Sequence, residues 1–103
     1  MAYAFVMDVP APIEFYDALH AEIGRSIPAT GVDGMLLHVG RQTSGGFQIM
    51  EVWESRERYE RFAAEVIGPA QARISGSQEP AMQPVVEEFE PRGLIVPAAS
   101  VVV

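Results

Sequence analysis

Two histidines, His20 and His38, are the side chains of this 103-residue chain that ordinarily titrate near neutrality, and they are its first candidates for a general base or a proton shuttle. Glu51 and Trp53 share their parity with Phe47 and Ile49, so in an extended segment a carboxylate and an indole project from one face and can form a pocket wall. Tyr16 and Tyr59 carry hydroxyls that can orient an aromatic or quinone-like ligand. Each of these residues also has an ordinary structural use. His20 suits the edge of an apolar helix face, and His38 a hydrogen-bonded core or interface position. Trp53 suits packing beneath a helix, Glu51 an ion pair with an arginine across an interface, and the tyrosines a core with satisfied hydroxyls.

Other chemistry is argued down by what the chain lacks. There is no cysteine, hence no disulfide and no thiolate ligand or nucleophile, and no G-x-S-x-G sequence marks a nucleophilic serine. Two unrelated histidines and the Glu87-Glu88-Glu90 cluster, split between alternate strand faces, make no recognisable metal site. The Gly45-Gly46 turn lacks the lysine and following helix of a phosphate-binding loop, and Arg41 beside it reads as a solvated cation or a contact for an acidic group. A net charge of -7 repels nucleic-acid backbones and anionic lipid, so neither is an expected partner. No apolar run approaches the ~20 residues of a membrane span, and the first residues carry no basic leader; a cytoplasmic protein is expected. All seven basic residues are arginine, which reads as codon usage in a GC-rich genome.

The elements that must position the candidate residues follow from pattern. Residues 3–9 are β-rich, apolar on both parities, and stop at Pro10, which reads as a strand, β1, buried on two sides. Pro12 suits a first helical turn, and the helix α1 over residues 12–26 sets Phe15, Leu19 and Ile23 inward, with Tyr16 and His20 on the adjoining stripe. After a Gly- and Pro-containing loop over residues 28–34, residues 35–54 form a hairpin, β2 and β3, around Thr43, Ser44, Gly45 and Gly46. Ser55 is an N-cap, and Tyr59, Phe62, Ala63, Val66 and Ile67 form the apolar stripe of α2 until Gly68 and Pro69 interrupt it with a bend and a short further helical stretch. Residues 83–90 read as the last strand, β4.

A 103-residue chain supports one domain, here residues 1–90. Residues 91–103 form an apolar tail expected to pack on the dimer proposed next or on a sheet edge. The order βαββαβ is that of the α+β ferredoxin-like fold, an antiparallel sheet with two helices on one face. Because β1, β2 and β3 are apolar on both parities, the other face needs a cover, and a second copy of the chain is the expected one.

Residues 51–62 (EVWESRERYERF) resemble the β3-to-α2 junction of the dimeric α/β-barrel superfamily, which includes the antibiotic-biosynthesis monooxygenase-like proteins. With the HVG of residues 38–40, the SGGF turn and the EFEP segment, the chain is also similar to small proteins of no assigned function from GC-rich bacteria. The resemblance implies a homodimer joined sheet to sheet as a barrel, with a pocket between sheet and helices in each subunit. Haem-degrading relatives use a helix tryptophan and, ten residues later, a histidine; here those positions hold Phe62 and Ala72, so no haem and no other cofactor is expected.

The leading expectation is therefore a homodimer that binds a small hydrophobic molecule in that pocket, at Tyr16, Glu51, Trp53 and Tyr59. The first alternative is a cofactor-independent monooxygenase or isomerase acting on an aromatic or polyketide-like compound, with His38 or His20 as base. The second is a structural or partner-binding subunit that uses its apolar tail.

Overall fold

The computed structural model describes residues 2–28, 31–75, 83–99 and 101–102. Strand β1 spans Tyr3–Val9, α1 spans Ile13–Ser26, and the hairpin comprises β2 at Met35–Thr43 and β3 at Gly46–Trp53. The second helical run is continuous from Arg56 to Ser75: α2 at Arg56–Phe62, a π-helical turn at Ala63–Ile67, and α3 at Gly68–Ser75. Strand β4 follows at Val85–Phe89. The sheet order is β2-β3-β1-β4 and every neighbouring pair is antiparallel. Since β1 and β2 both run against β3, they are parallel to each other with β3 between them, which makes the split βαβ arrangement of a ferredoxin-like α+β fold.

Helix starts follow the side chains expected to make them. Pro12 stands before α1 in an extended conformation, its carbonyl accepting from Phe15 N at 3.0 Å. The Ser55 side chain accepts from Arg58 N at the head of α2. The expected interruption at Gly68 and Pro69 takes a different form. Proline has no N–H to offer the carbonyl one turn back, and the chain widens into the π turn just before it instead of breaking. Helical geometry then resumes, and Ile67, Gln71 and Ile74 come to line one side of the helical run.

Phe5, Trp53 and Phe62 form the buried centre of the core, with Tyr59 against Phe5 at 4.9 Å between ring centroids. The register places Phe5, Met7 and Val9 of β1 beside Glu51, Ile49 and Phe47 of β3, and His38 of β2 directly across from Glu51. These residues face the helices. On the opposite face Val39, Met50, Val85 and Phe89 are exposed, Val85 by 69%. An antiparallel sheet with one solvated face alternates apolar with polar, and this face does not.

The tail folds back on itself as two short strands, β5 at Ile95–Val96 and β6 at Val101–Val102, joined through a 3-10 turn at Pro97–Ala99. Ile95 remains exposed.

Candidate functional site

Between α1, the second helical run and the inner sheet face lies a cavity of about 660 Å³. Its walls are predominantly apolar: Phe5, Met7, Phe47 and Ile49 from the sheet, Phe15, Leu19 and Ile23 from α1, and Ile67 and Ile74 from the far helix. That is the size and character of a small-molecule site. Tyr16, His20, His38, Glu51 and Tyr59 also line it, whereas Trp53 lies behind the wall, fully buried.

Three of the cavity residues and Trp53 are joined in one hydrogen-bonded chain. The Trp53 indole Nε1–H donates to Glu51 Oε1 at 2.8 Å. Glu51 Oε2 lies 2.6 Å from His38 Nδ1, and His38 Nε2 lies 2.8 Å from the Tyr16 hydroxyl. Glu51 is only 5% exposed. An indole N–H can only donate, so Oε1 must accept; with Glu51 a carboxylate and His38 neutral, Oε2 accepts from His38 Nδ1–H and Nε2 accepts from Tyr16, whereas a protonated His38 donates to both. Among the described residues His38 is the one cation-capable side chain paired with Glu51.

His20 stands outside this chain of bonds, exposed at the cavity rim, its ring 5.5 Å from that of Tyr16 and 5.6 Å from that of His38. The Tyr59 hydroxyl has no hydrogen-bond partner among the described residues and stands in the lining. Burial pushes the Tyr16 phenol above its usual pKa, and the charges of Glu51 and Asp17 add to the rise. Tyr59 is raised in the same way, first by burial and then by Glu51, Glu88 and Glu60. Both phenols therefore stay protonated well into the alkaline range and remain donors at neutral pH.

Two features that bring the relay together are visible only in hindsight. The tight hairpin pairs Thr43 with Gly46, and counting back from it along both strands sets His38 against Glu51, so the turn itself specifies the pair. Gly40, two residues from His38 on the same strand face, is the other. A Cβ built there would run into the Tyr16 ring and hydroxyl, so the absence of a side chain at 40 is what lets Tyr16 lie over β2 and reach His38. Arg41, by contrast, lies on the outer sheet face, bonded to Gln48, away from the cavity. Among the described residues no group of three or more His, Asp or Glu side chains is arranged to hold a metal ion. Among the described residues no helix is long and apolar enough to cross a membrane.

No family model and no curated protein sequence matches the chain. Solved structures do match it. A Chloroflexus aurantiacus J-10-fl protein provisionally named an antibiotic biosynthesis monooxygenase superposes with a TM-score of 0.64 at 24% identity, covering 90% of this chain and 95% of its own. A variant of SnoaB, a cofactor-independent oxygenase from Streptomyces nogalater, gives 0.62 at 15% identity over 88% of this chain and 93% of its own. This chain has the ferredoxin-like fold of the antibiotic-biosynthesis monooxygenase-like proteins. Rv0793 from Mycobacterium tuberculosis gives 0.61 at 17% identity, covering 88% of this chain and 95% of its own. At these identities the likeness is one of fold.

Proposed function

We propose that this chain binds a small hydrophobic molecule in the cavity between sheet and helices, and that it does so as a homodimer. The observation that carries the binding reading is the cavity itself, about 660 Å³ of mostly apolar wall on which Tyr16, His38 and Glu51 converge. An apolar molecule seated there would cover wall that otherwise faces water. The neutral aromatic 1-methoxynaphthalene is a suitable first probe. Saturable binding to the wild-type protein, lost when Leu19→Trp fills the cavity, is the expected result; no saturable binding to the wild type would remove this reading.

The homodimer reading rests on the outer sheet face, where Val39, Met50, Val85 and Phe89 are exposed on strands that are also apolar toward the helices. A second copy packed sheet to sheet covers this face, and the 91–103 tail adds to that assembly. Light scattering is expected to give twice the 11.2 kDa chain mass and to give one chain mass for Met50→Glu. A wild-type monomer at micromolar concentration would end this part of the proposal. Deleting residues 94–103 separates the tail's roles, since loss of the dimer assigns it to the assembly.

A second reading, cofactor-independent oxygenation or isomerisation of an aromatic or polyketide-like compound, is supported by the relay and by a shared fold with SnoaB, which is named a cofactor-independent oxygenase. In this reading His38 or His20 is the base. Turnover that is unchanged in both His38→Ala and His20→Ala would eliminate it.

A further inference from the structure

The cavity meets water between its two helical walls. Its exposed lining residues are Pro12 ahead of α1, His20 on α1, Gln71 on α3 and Pro84 ahead of β4, which places the mouth along the seam of α1 and α3. Among the described residues, one side chain, Arg73, carries the hydrogen bonds between α1 and the second helical run. Its Nε–H donates to Glu22 Oε1, and its Nη2–H donates to the Ser26 hydroxyl at 3.0 Å. Arg25, within α1, holds the other oxygen of the same carboxylate and leaves Oε1 for Arg73.

We infer that α3 is the movable wall of the cavity. It pivots at the π turn, and the bonds from Arg73 to Glu22 and Ser26 are the latch that holds it shut, so a ligand enters and leaves between α1 and α3 while the latch is open. This rests on the cavity-binding reading above and adds how access to that cavity is controlled.

Three features suit α3 to this movement. The first is the joint itself. Gly68 N–H donates to the Ala63 carbonyl five residues back, Pro69 has no N–H to offer, and Gly68 has no side chain to brace the turn, so fewer bonds cross here than in an unbroken helix. The second is the contrast along α3: Ala70, just past the joint, is fully buried and anchors the near end, whereas Gln71, Ala72 and Arg73 are exposed. The third is the place of the latch beside the walls it controls. Ile23 follows Glu22 and Ile74 follows Arg73, and both line the cavity, so parting the latch carries one wall away from the other. The Arg73 side chain is 47% exposed, and water competes for its guanidinium; the latch is therefore weak enough to open unaided.

Stopped-flow binding of 1-methoxynaphthalene, read by its fluorescence, tests this through rates. A latch made equally in the free and the bound closed states governs passage and not affinity. Arg73→Met is therefore expected to raise the association and dissociation rates together, by about fivefold, the upper range for a partly exposed ion pair, with Kd unchanged. Glu22→Gln should act in the same direction and add nothing to Arg73→Met in the double variant. Gly68→Ala stiffens the joint at little steric cost, since its Cβ would meet only the Ala63 carbonyl oxygen at 3.4 Å, and it should slow both rates with Kd again unchanged. Each variant is first shown to be folded by far-UV circular dichroism; should Arg73→Met not fold, Glu22→Gln and Gly68→Ala decide the matter. Saturable binding whose rates are the same in the wild type and the latch variants would refute the gate and leave the cavity reading standing. A weaker Kd with only the dissociation rate raised would also refute it, because Arg73 would then shape the bound state alone. No saturable binding to the wild type would remove both.

Discussion

Replacing Gly40 with alanine adds one methyl group to β2 and is predicted to dismantle the relay without touching any of its members. The new Cβ would occupy the space of the Tyr16 ring and hydroxyl, so the ring must swing away from the sheet. That forfeits the 2.8 Å bond to His38 and the packing of Tyr16 on Phe47, whose ring centroid lies 5.4 Å away. The bond is worth about 1 kcal/mol. Partial re-exposure of the ring removes about 2 kcal/mol more. Alanine is the better strand residue by about 0.7 kcal/mol, which leaves a net loss of about 2 kcal/mol. Urea unfolding of Gly40→Ala measures it directly, and a double-mutant cycle with Tyr16→Ala isolates the cause. With the ring gone, the alanine methyl has free space, and Gly40→Ala is expected to be neutral or slightly stabilising there. In Tyr16→Phe the ring carbons still block the methyl, so the cost should persist. An equal cost of Gly40→Ala with and without the Tyr16 ring would refute the idea that position 40 is empty for the sake of Tyr16.

Three further outcomes can be checked. Trp53→Phe leaves Glu51 Oε1 without its donor and opens space in the core, and it should lower the unfolding free energy by about 3 kcal/mol; a loss below about 1 kcal/mol would mean the indole N–H does not hold Glu51 in place. All three tyrosines, Tyr3, Tyr16 and Tyr59, have pKa values raised in the folded state, first by burial and, for Tyr3, next by its hydrogen bond to Glu88. Their folded-state protons are held more tightly than in the unfolded chain, so this stability is fully present below the ordinary tyrosine pKa and is lost as pH rises through the folded values. Tyrosinate absorbance should therefore rise together with the loss of circular dichroism, and tyrosinate appearing in a fully folded protein would contradict the assignment. Glu22 shifts the other way: a hydrogen bond from Arg73 holds its carboxyl below the usual range, with Arg25 assisting, so its contribution is present at neutral pH and is lost as pH falls through the folded value. Glu22→Gln should make stability less steep on the acid side, and an unchanged acid limb would show that the bond contributes nothing in solution.

Much of the fold was legible because it depends on short-range signals that do not need tertiary information. Ser55 before an apolar stripe marks the start of α2, and Ser44-Gly45 between alternating runs marks the hairpin. Where reading and structure diverge, the cause is a competition that local pattern cannot arbitrate. Proline after glycine reads as an interruption because its ring lacks an N–H, yet the chain keeps Ile67 and Ile74 against the cavity by widening one turn of helix ahead of it. A β-bulge between Met35 and Leu37 shifts the face on which the residues at the start of β2 project, whereas His38 beyond it faces the helices with Glu51.

The candidate site was legible as residue types and not as a set. His38, Glu51 and Tyr16 each stand out for what their side chains can do, but their union depends on three separate placements. The first is the hairpin register, which the length of the turn specifies: a loop one residue longer would slide β3 against β2 and put Met50 or Val52 across from His38. The second is the burial of Trp53, which turns a core residue into the fixed donor that holds one Glu51 oxygen and leaves the other for His38. The third is an absence, the missing Cβ of Gly40, which no search for reactive side chains would notice. A relay assembled from a turn, a core aromatic and a glycine is set by the same forces that set the fold, so its geometry should survive exchange of its surface neighbours. It should fail on changes at position 40 or in the 43–46 turn, where no reactive group resides.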